Sequence, residues 1–306
     1  MIAYLSRRVV EGALTIVGLS LLVFLSLHLA PGDPASLIAG NQAREEELAV
    51  IRRQYGLDDP LPLQYWNWVT RIVRGDFGVS HWGDRPVGPE LARAFPISMT
   101  LALGGLAVAV VLGIPAGVLA AVRRDGFLDL SIMGLAVAGM SMPVFWISLL
   151  LILLFALRMG VLPSSGWGTV SHAILPVFSV SLASLALLAR MTRSLMVELL
   201  LEDFVRTARA KGLAARIVFY KHALRNALPP LVTVIGLRLG LLVGGAVITE
   251  TVFAVPGLGR MIVQAVNQRD FPIVQGGVLL IALAVIVINF AVDLLYLILD
   301  PRIRYA

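Results

Sequence analysis

The feature that most constrains this chain is a series of apolar runs, each about as long as a bilayer is thick. A spanning helix needs roughly 20 apolar residues. Six stretches qualify: 12–30, preceded by Arg7 and Arg8; 94–122, broken by Gly113 and Pro115; 130–157, with Pro143 inside it; 173–189, with Pro176; 231–249, with Arg238; and 272–299, with Asp293. Inside hydrocarbon every backbone N–H and C=O must find an internal partner, so such runs form helices. Composition agrees. The 306 residues are 58% hydrophobic and only 14% charged, with a mean hydropathy of +0.87, against roughly 25% charged in a soluble domain. The expected fold class is an all-α integral membrane protein with six transmembrane helices. The first run has the flanking charge of a secretory signal peptide. It is long for the apolar region of one, and five more spans follow, which favours a retained span.

Several function classes drop out early. There are no cysteines, which excludes a disulfide framework, a thiolate metal site, a cysteine nucleophile and a lipoprotein anchor. The net charge of +6 raises nucleic acid as a partner. The basic residues instead lie in short loops between apolar runs, a pattern that belongs to membrane orientation. With the N-terminus inside, the inner loops hold 14 basic residues: Arg7, Arg8, Arg123, Arg124, Arg190, Arg193, Arg206, Arg209, Lys211, Arg216, Lys221, Arg225, Arg302 and Arg304. The two short outer loops hold three, Arg158, Arg260 and Arg269. Both termini are therefore expected in the cytoplasm. A nucleotide loop needs Gly-Lys-Ser/Thr to cradle phosphates; the only lysines, Lys211 and Lys221, follow Ala210 and Tyr220. His28, His81, His172 and His222 have no metal-ligand spacing, and no Gly-x-Ser-x-Gly elbow occurs. No catalytic, cofactor or metal site is expected.

Two loops are long enough to have structure of their own. In the outer loop, 31–93, residues 43–55 read as an amphipathic helix. Its acids Glu45, Glu46 and Glu47 come early, its Arg52 and Arg53 late, and Gly56 ends it. Pro62 opens a second helix through Val73, carrying Tyr65, Trp66 and Trp68 at a level suited to headgroups. A small folded cap is favoured here over a direct solute site. The inner loop, 190–230, holds eight of the inner basic residues. A short helix from Glu202 to Lys211, with Gly212 as its cap, precedes a second helix that Pro229 and Pro230 are expected to stop. From pattern alone this is either a partner-binding link or a surface loop held by anionic membrane lipid.

The inner loop reads DFVRTARAKGLAARIVFYKHALRNALPP over 203–230. It resembles the cytoplasmic loop of permeases of binding-protein-dependent ABC importers. That motif places Glu-Ala-Ala six residues before a glycine, and later a Leu-Pro. Arg206, Thr207, Ala208, Gly212, Leu228 and Pro229 match it here, the first two departing from it in the manner of the peptide-importer branch. PGDP at 31–34, YGLDDPLPLQYWNWV and RGDFGVS in the outer loop, ETVFAVPGLGRMIVQAVNQRDFPIVQG at 250–276 and DPRIRY at 300–305 resemble further phrases of that family, in order.

The resemblance implies a type I ABC importer permease fold. It also implies a site in the cytoplasmic (inner) membrane of a prokaryote, with solutes from the dipeptide, oligopeptide, glutathione and nickel-chelate group. Its implied partners are a second related permease, two cytoplasmic ATPase subunits carrying ATP and Mg, and an extracytoplasmic solute-binding protein. Residues 1–94 then form the first span with its outer loop, and 95–306 a five-helix core with the coupling loop. In that loop Asp203, Arg206, Thr207, Ala208, Lys211, Gly212, Leu228 and Pro229 are the candidate ATPase-coupling residues. The small residues Ala208, Ala210 and Gly212 permit close seating, and the basic residues pair either with partner acids or with Glu202 and Asp203. Glu46, Glu250, Gly257 and Arg260 are candidates for an outer gate or binding-protein contact. Arg238 and Asp293 sit at matched depth and are candidates for an intramembrane ion pair. The alternative class is an ion-coupled secondary transporter, because Glu11, Arg238 and Asp293 are ionisable residues within spans. An inert scaffold is the third.

Overall fold

The computed structural model describes residues 2–29, 35–36, 44–80, 82–83 and 85–299. The phrases at 31–34 and 300–305, and His81, lie outside the described residues. Among the described residues the regular structure is helical, apart from one isolated bridge between Val79 and Pro86. In chain order the helices are α1 Ile2–Leu29, α2 Glu45–Tyr55, α3 Leu61–Val73, α4 Val87–Val122, α5 Phe127–Ser141, α6 Val144–Leu151, α7 Val170–Leu199, α8 Asp203–Ala210, α9 Leu224–Gly245, α10 Val247–Val252, α11 Leu258–Gln268 and α12 Phe271–Leu299.

Five helical segments are long and apolar enough to cross a membrane, and the sixth passage is the bent pair α5 and α6. The run 130–157, read from sequence as one span, is therefore corrected to two helices inclined at 108°. The cause is Pro143. A proline clashes with a helical residue before it, and Met142 is accordingly extended at ψ 131, ending α5. Pro143 then serves as the N-cap of α6, which runs on into a wide π-helical turn over Ile152–Arg158.

Pro229 and Pro230 behave in the opposite way. They were expected to stop a helix, yet both lie inside α9, within a continuous apolar segment Ala215–Val252. Each removes one helical N–H, which leaves the carbonyls of Arg225 and Asn226 without a backbone donor. Both residues are exposed. Just upstream, Val218–Ala223 forms a π-helical turn.

The described residues divide into two compact units, Met1–Ile97 with Pro256–Ile286, and Ser98–Val255 with Val287–Ala306. In the first unit the outer loop packs on α1. Tyr65 and Ser20 share a hydroxyl hydrogen bond of 2.7 Å, and His28 and Gln64 one of 3.1 Å. Phe24 meets the rings of His28, Tyr65 and Trp68, while Trp66 stays exposed. The aromatics expected at headgroup level thus divide, two facing the protein and one outward. A core of Val87, Leu91, Ala94, Leu258, Ala265 and Ile273 closes this unit. Buried Asp270 accepts a hydrogen bond from Ser80 Oγ.

In the second unit α4 and α7 approach through glycine. A methyl group added to Gly105, Gly113 or Gly117 would come under 3 Å from Val180, the Leu185 carbonyl or the Ala189 carbonyl respectively. The core beside this contact is Ala109, Ile114, Val118, Leu188, Met196, Ala227 and Leu231. Buried serines stitch the bundle further, with Ser148 and Ser179 hydroxyls 2.5 Å apart. Without a hydrophobic driving force in lipid, small residues and such polar contacts hold spans together.

Candidate functional site: the α8 link

Three residues, Leu200, Leu201 and Glu202, join α7 to α8. Glu202 caps α8, and Asp203 opens it with a negative charge where the helix dipole favours one. Only Val205 and Ala208, three residues apart on one face, are buried. They pack with Val218 of the π-helical turn, and Leu200 and Phe219 complete this small core. The remaining face, with Arg206, Thr207, Arg209, Ala210 and Lys211, is exposed. The C-terminus closes in a Schellman arrangement: Gly212 N–H donates to Arg209 O (2.9 Å) and Leu213 N–H to Ala208 O (3.4 Å). This requires a left-handed residue after the helix, and Gly212 has φ +75.

Ala208 is buried, and its small size serves packing on Val218. Arg206 makes a 3.3 Å ion pair with Asp203 of its own helix, both side chains well exposed; such pairs contribute about 0–1 kcal/mol. Leu228 and Pro229 are half-buried in α9, a turn and more beyond the π-helical turn.

Around the link the surface is apolar as well as basic. Leu201, Phe204, Leu213, Ile217 and Tyr220 are exposed large hydrophobics. They alternate with Arg206, Arg209, Lys211 and Arg216, also exposed. Aromatic and aliphatic anchors interleaved with arginine are typical of protein interfaces.

Sequence reasoning missed the anchor behind the link. Arg193 Nε and Nη2 each reach an Asp129 carboxylate oxygen at 2.6 Å. The Asp129 side chain is 4% exposed and that of Arg193 28%. The fork fixes the start of α5 against the last turns of α7. Asp129 also accepts the backbone N–H of Asp125, a non-glycine residue held at φ 60. Asp129 opens α5 and Arg193 stands near the end of α7, and their place at the ends of neighbouring apolar runs was the available signal.

Glu46 is exposed in the first turn of α2. Glu250 is fully buried in α10 and accepts a 2.5 Å hydrogen bond from Ser98. Gly257 is the buried N-cap of α11, and Arg260 stands half-exposed one turn on. α9 meets α12 at Gly236 against Val292. Two residues further along α9, Arg238 is turned by about 200° from that contact.

Residues 113–305 match the family described as binding-protein-dependent transport system inner membrane component. Residues 1–102 match the N-terminal component of the same transport systems. The chain belongs to this family. Two relatives are the glutathione transport system permease protein GsiC of Escherichia coli (strain K12), 43% identical over 305 residues and covering 100% of both chains, and that of Salmonella typhimurium (strain LT2), 44% identical over the same length and coverage. A solved structure titled as inward facing conformations of the MetNI methionine ABC transporter aligns with a TM-score of 0.60 at 22% identity. It covers 69% of this chain and 96% of that one, and it shows the shared type I importer permease fold. The protein is thus a permease subunit of an ABC importer, of the dipeptide and oligopeptide branch, and the ion-coupled alternative falls. Permeases of this class work with ATPase and binding-protein partners.

Proposed function

We propose that this chain is one of two related pore-forming subunits that import short peptides, glutathione among them. Both termini are cytoplasmic, two ATPase subunits hold ATP and Mg, and a solute-binding protein delivers the cargo. The observation that carries the solute class is the full-length identity of 43% to a relative named for glutathione transport. The basic residues of the inner loops support the orientation. The division into 1–94, a span with an outer cap, and 95–306, the transport core, is retained as part of this reading.

α8 is the coupling element. Its buried face is held by Val218 and only three residues separate it from α7. A displacement of α8 by a closing ATPase dimer is therefore passed to α7 and to the base of α9 together. The exposed Phe204, Thr207, Arg209 and Lys211 supply the seat. Arg238, on the face of α9 away from Val292, is a candidate pore cation.

The deciding experiment is uptake of labelled glutathione and dipeptides by cells carrying the whole transporter, with and without this gene. Gene-dependent, ATP-dependent uptake of at least one is expected. Uptake of neither, with a different solute found on the binding protein by mass spectrometry, sinks the solute assignment. Reporter tags at Gly83 and after Leu213 are expected outside and inside respectively; a cytoplasmic signal at Gly83 would overturn the orientation.

A further inference from the structure

Tyr65, Trp68, Val69, Ile72 and Val73 fall at the i, i+3, i+4, i+7, i+8 spacing of one helix face on α3. With Ile16, Val17 and Ser20 of α1 and Leu279 and Leu283 of α12 they line an open cleft of about 390 Å³. All three stretches belong to the first unit. The two hydroxyls in the wall, Ser20 and Tyr65, bond each other at 2.7 Å. The rest of the wall is apolar or aromatic, and Val17, Val73 and Leu283 remain exposed in it.

The cleft has a direction. Phe77, part of its wall, lies against Gly276, where an added methyl group would come within 3.0 Å of the ring. Gly276 is five residues into α12, and Leu283 is seven residues further, about 10 Å along the axis. α1 runs beside α12 over this length: Gln275 donates to Val23 O at 3.2 Å, and Gly12 faces Ile286. Both helices are long and apolar enough to span. The cleft therefore leads from near one interface into the hydrocarbon layer, where lipid tails are the solvent.

Charge gathers at the interfacial end. Arg71 lines a smaller adjoining pocket with Phe77, Phe271 and Pro272, at the start of α12. Arg74 follows Val73 as the C-cap of α3. Both arginines are exposed, and neither is in an ion pair among the described residues. Asp76 accepts the Gly78 N–H at 2.9 Å, so over residues 71–76 two guanidinium groups stand against one carboxylate. A guanidinium holds phosphate through paired N–H bonds. Trp66, exposed on the same helix, is a side chain favoured at headgroup level.

We propose that this cleft is a binding site for an anionic phospholipid. One acyl chain lies between α1, α3 and α12, and the phosphate meets Arg71 and Arg74. The two ends together select this occupant: an apolar groove opening within a span asks for a hydrocarbon chain, and a basic pair at the interface asks for an anionic headgroup. A bound lipid would tie α3 to the two spans. The site rests on α1 and α12 as spans and not on which solute is carried.

The test uses the assembled transporter in nanodiscs doped with phosphatidylglycerol bearing a diazirine in its acyl chain, or with phosphatidylcholine bearing the same label. Photolabelled peptides are mapped by mass spectrometry. Label is expected on 16–20, 69–73 and 279–283, with more from phosphatidylglycerol. Val69→Trp fills the cleft and is expected to lower label on 279–283 about tenfold, by steric clash. Should that variant fail to assemble, Leu283→Trp, at an exposed position, is expected to lower label on 16–20 and 69–73 likewise. Arg71→Gln combined with Arg74→Gln is expected to equalise the two lipids. No label on these segments, label that ignores both tryptophans, equal label from the two lipids in the unaltered complex, or a preference that survives the paired arginine change overturns the site. So does a benzophenone side chain at position 17 that crosslinks to a second permease and not to lipid, which would make the cleft a subunit interface.

Discussion

Compare α1 with α4 and α7. All three are apolar enough to span a membrane, yet only 17% of the span in α1 is buried, against 50% in α4 and in α7. Val9, Leu14, Val17 and Leu22 of α1 are exposed, and a methyl group on Gly18 would meet nothing within 4 Å. On α4 the same addition at Gly113 or Gly117 runs into the backbone of α7. Hydropathy reports which segments tolerate lipid. Small residues at the right register report which of them touch one another.

The sharpest way to break this comparison is to enlarge one glycine on each helix. Gly117→Leu is expected to destabilise the purified protein by more than about 3 kcal/mol, beyond the usual overpacking cost, because backbone and not a flexible side chain is in the way. Gly18→Leu is expected to stay within about 0.5 kcal/mol. Equal losses of thermal stability in the two variants would mean that burial does not separate these spans.

Next in size is the anchor of α5 on α7. Asp129→Asn is expected to cost about 1.5–3 kcal/mol, the range for a hydrogen bond to a charged group. Arg193→Gln alone, and the double change, complete a cycle measured by thermal unfolding. Strict additivity would show that the fork contributes no coupling.

Smaller still in stability, though not in function, is the cap of α8. The space beside Gly212 is open, so Gly212→Trp adds only the strain of a left-handed non-glycine residue, about 1–2 kcal/mol. Insertion and assembly are expected to survive while uptake is lost. A complex with all subunits and full solute-stimulated ATPase activity would remove this glycine from coupling. At the bottom of the scale, Arg206→Ala deletes an exposed pair with Asp203 and is expected to change stability by less than about 0.5 kcal/mol, read by the same thermal assay.

What local chemistry dictates was legible in the chain alone. The apolar runs, the amphipathic α2 ended by Gly56, the start of α3 near Pro62, and a short helix closed by Gly212 each depend on residues within a turn or two of one another. The neighbours decided the rest. Pro143 breaks a passage, whereas Pro229 and Pro230 lie inside a continuous helix. Ala208 turned inward because Val218 covers it. Glu250 is buried with Ser98 donating to it, and Gly236 sets where α9 meets α12. A pattern within one segment fixes which face is apolar. Which partner meets that face, and whether a charge there finds its counter-charge, depends on residues tens to hundreds of positions away, which the fold alone brings together.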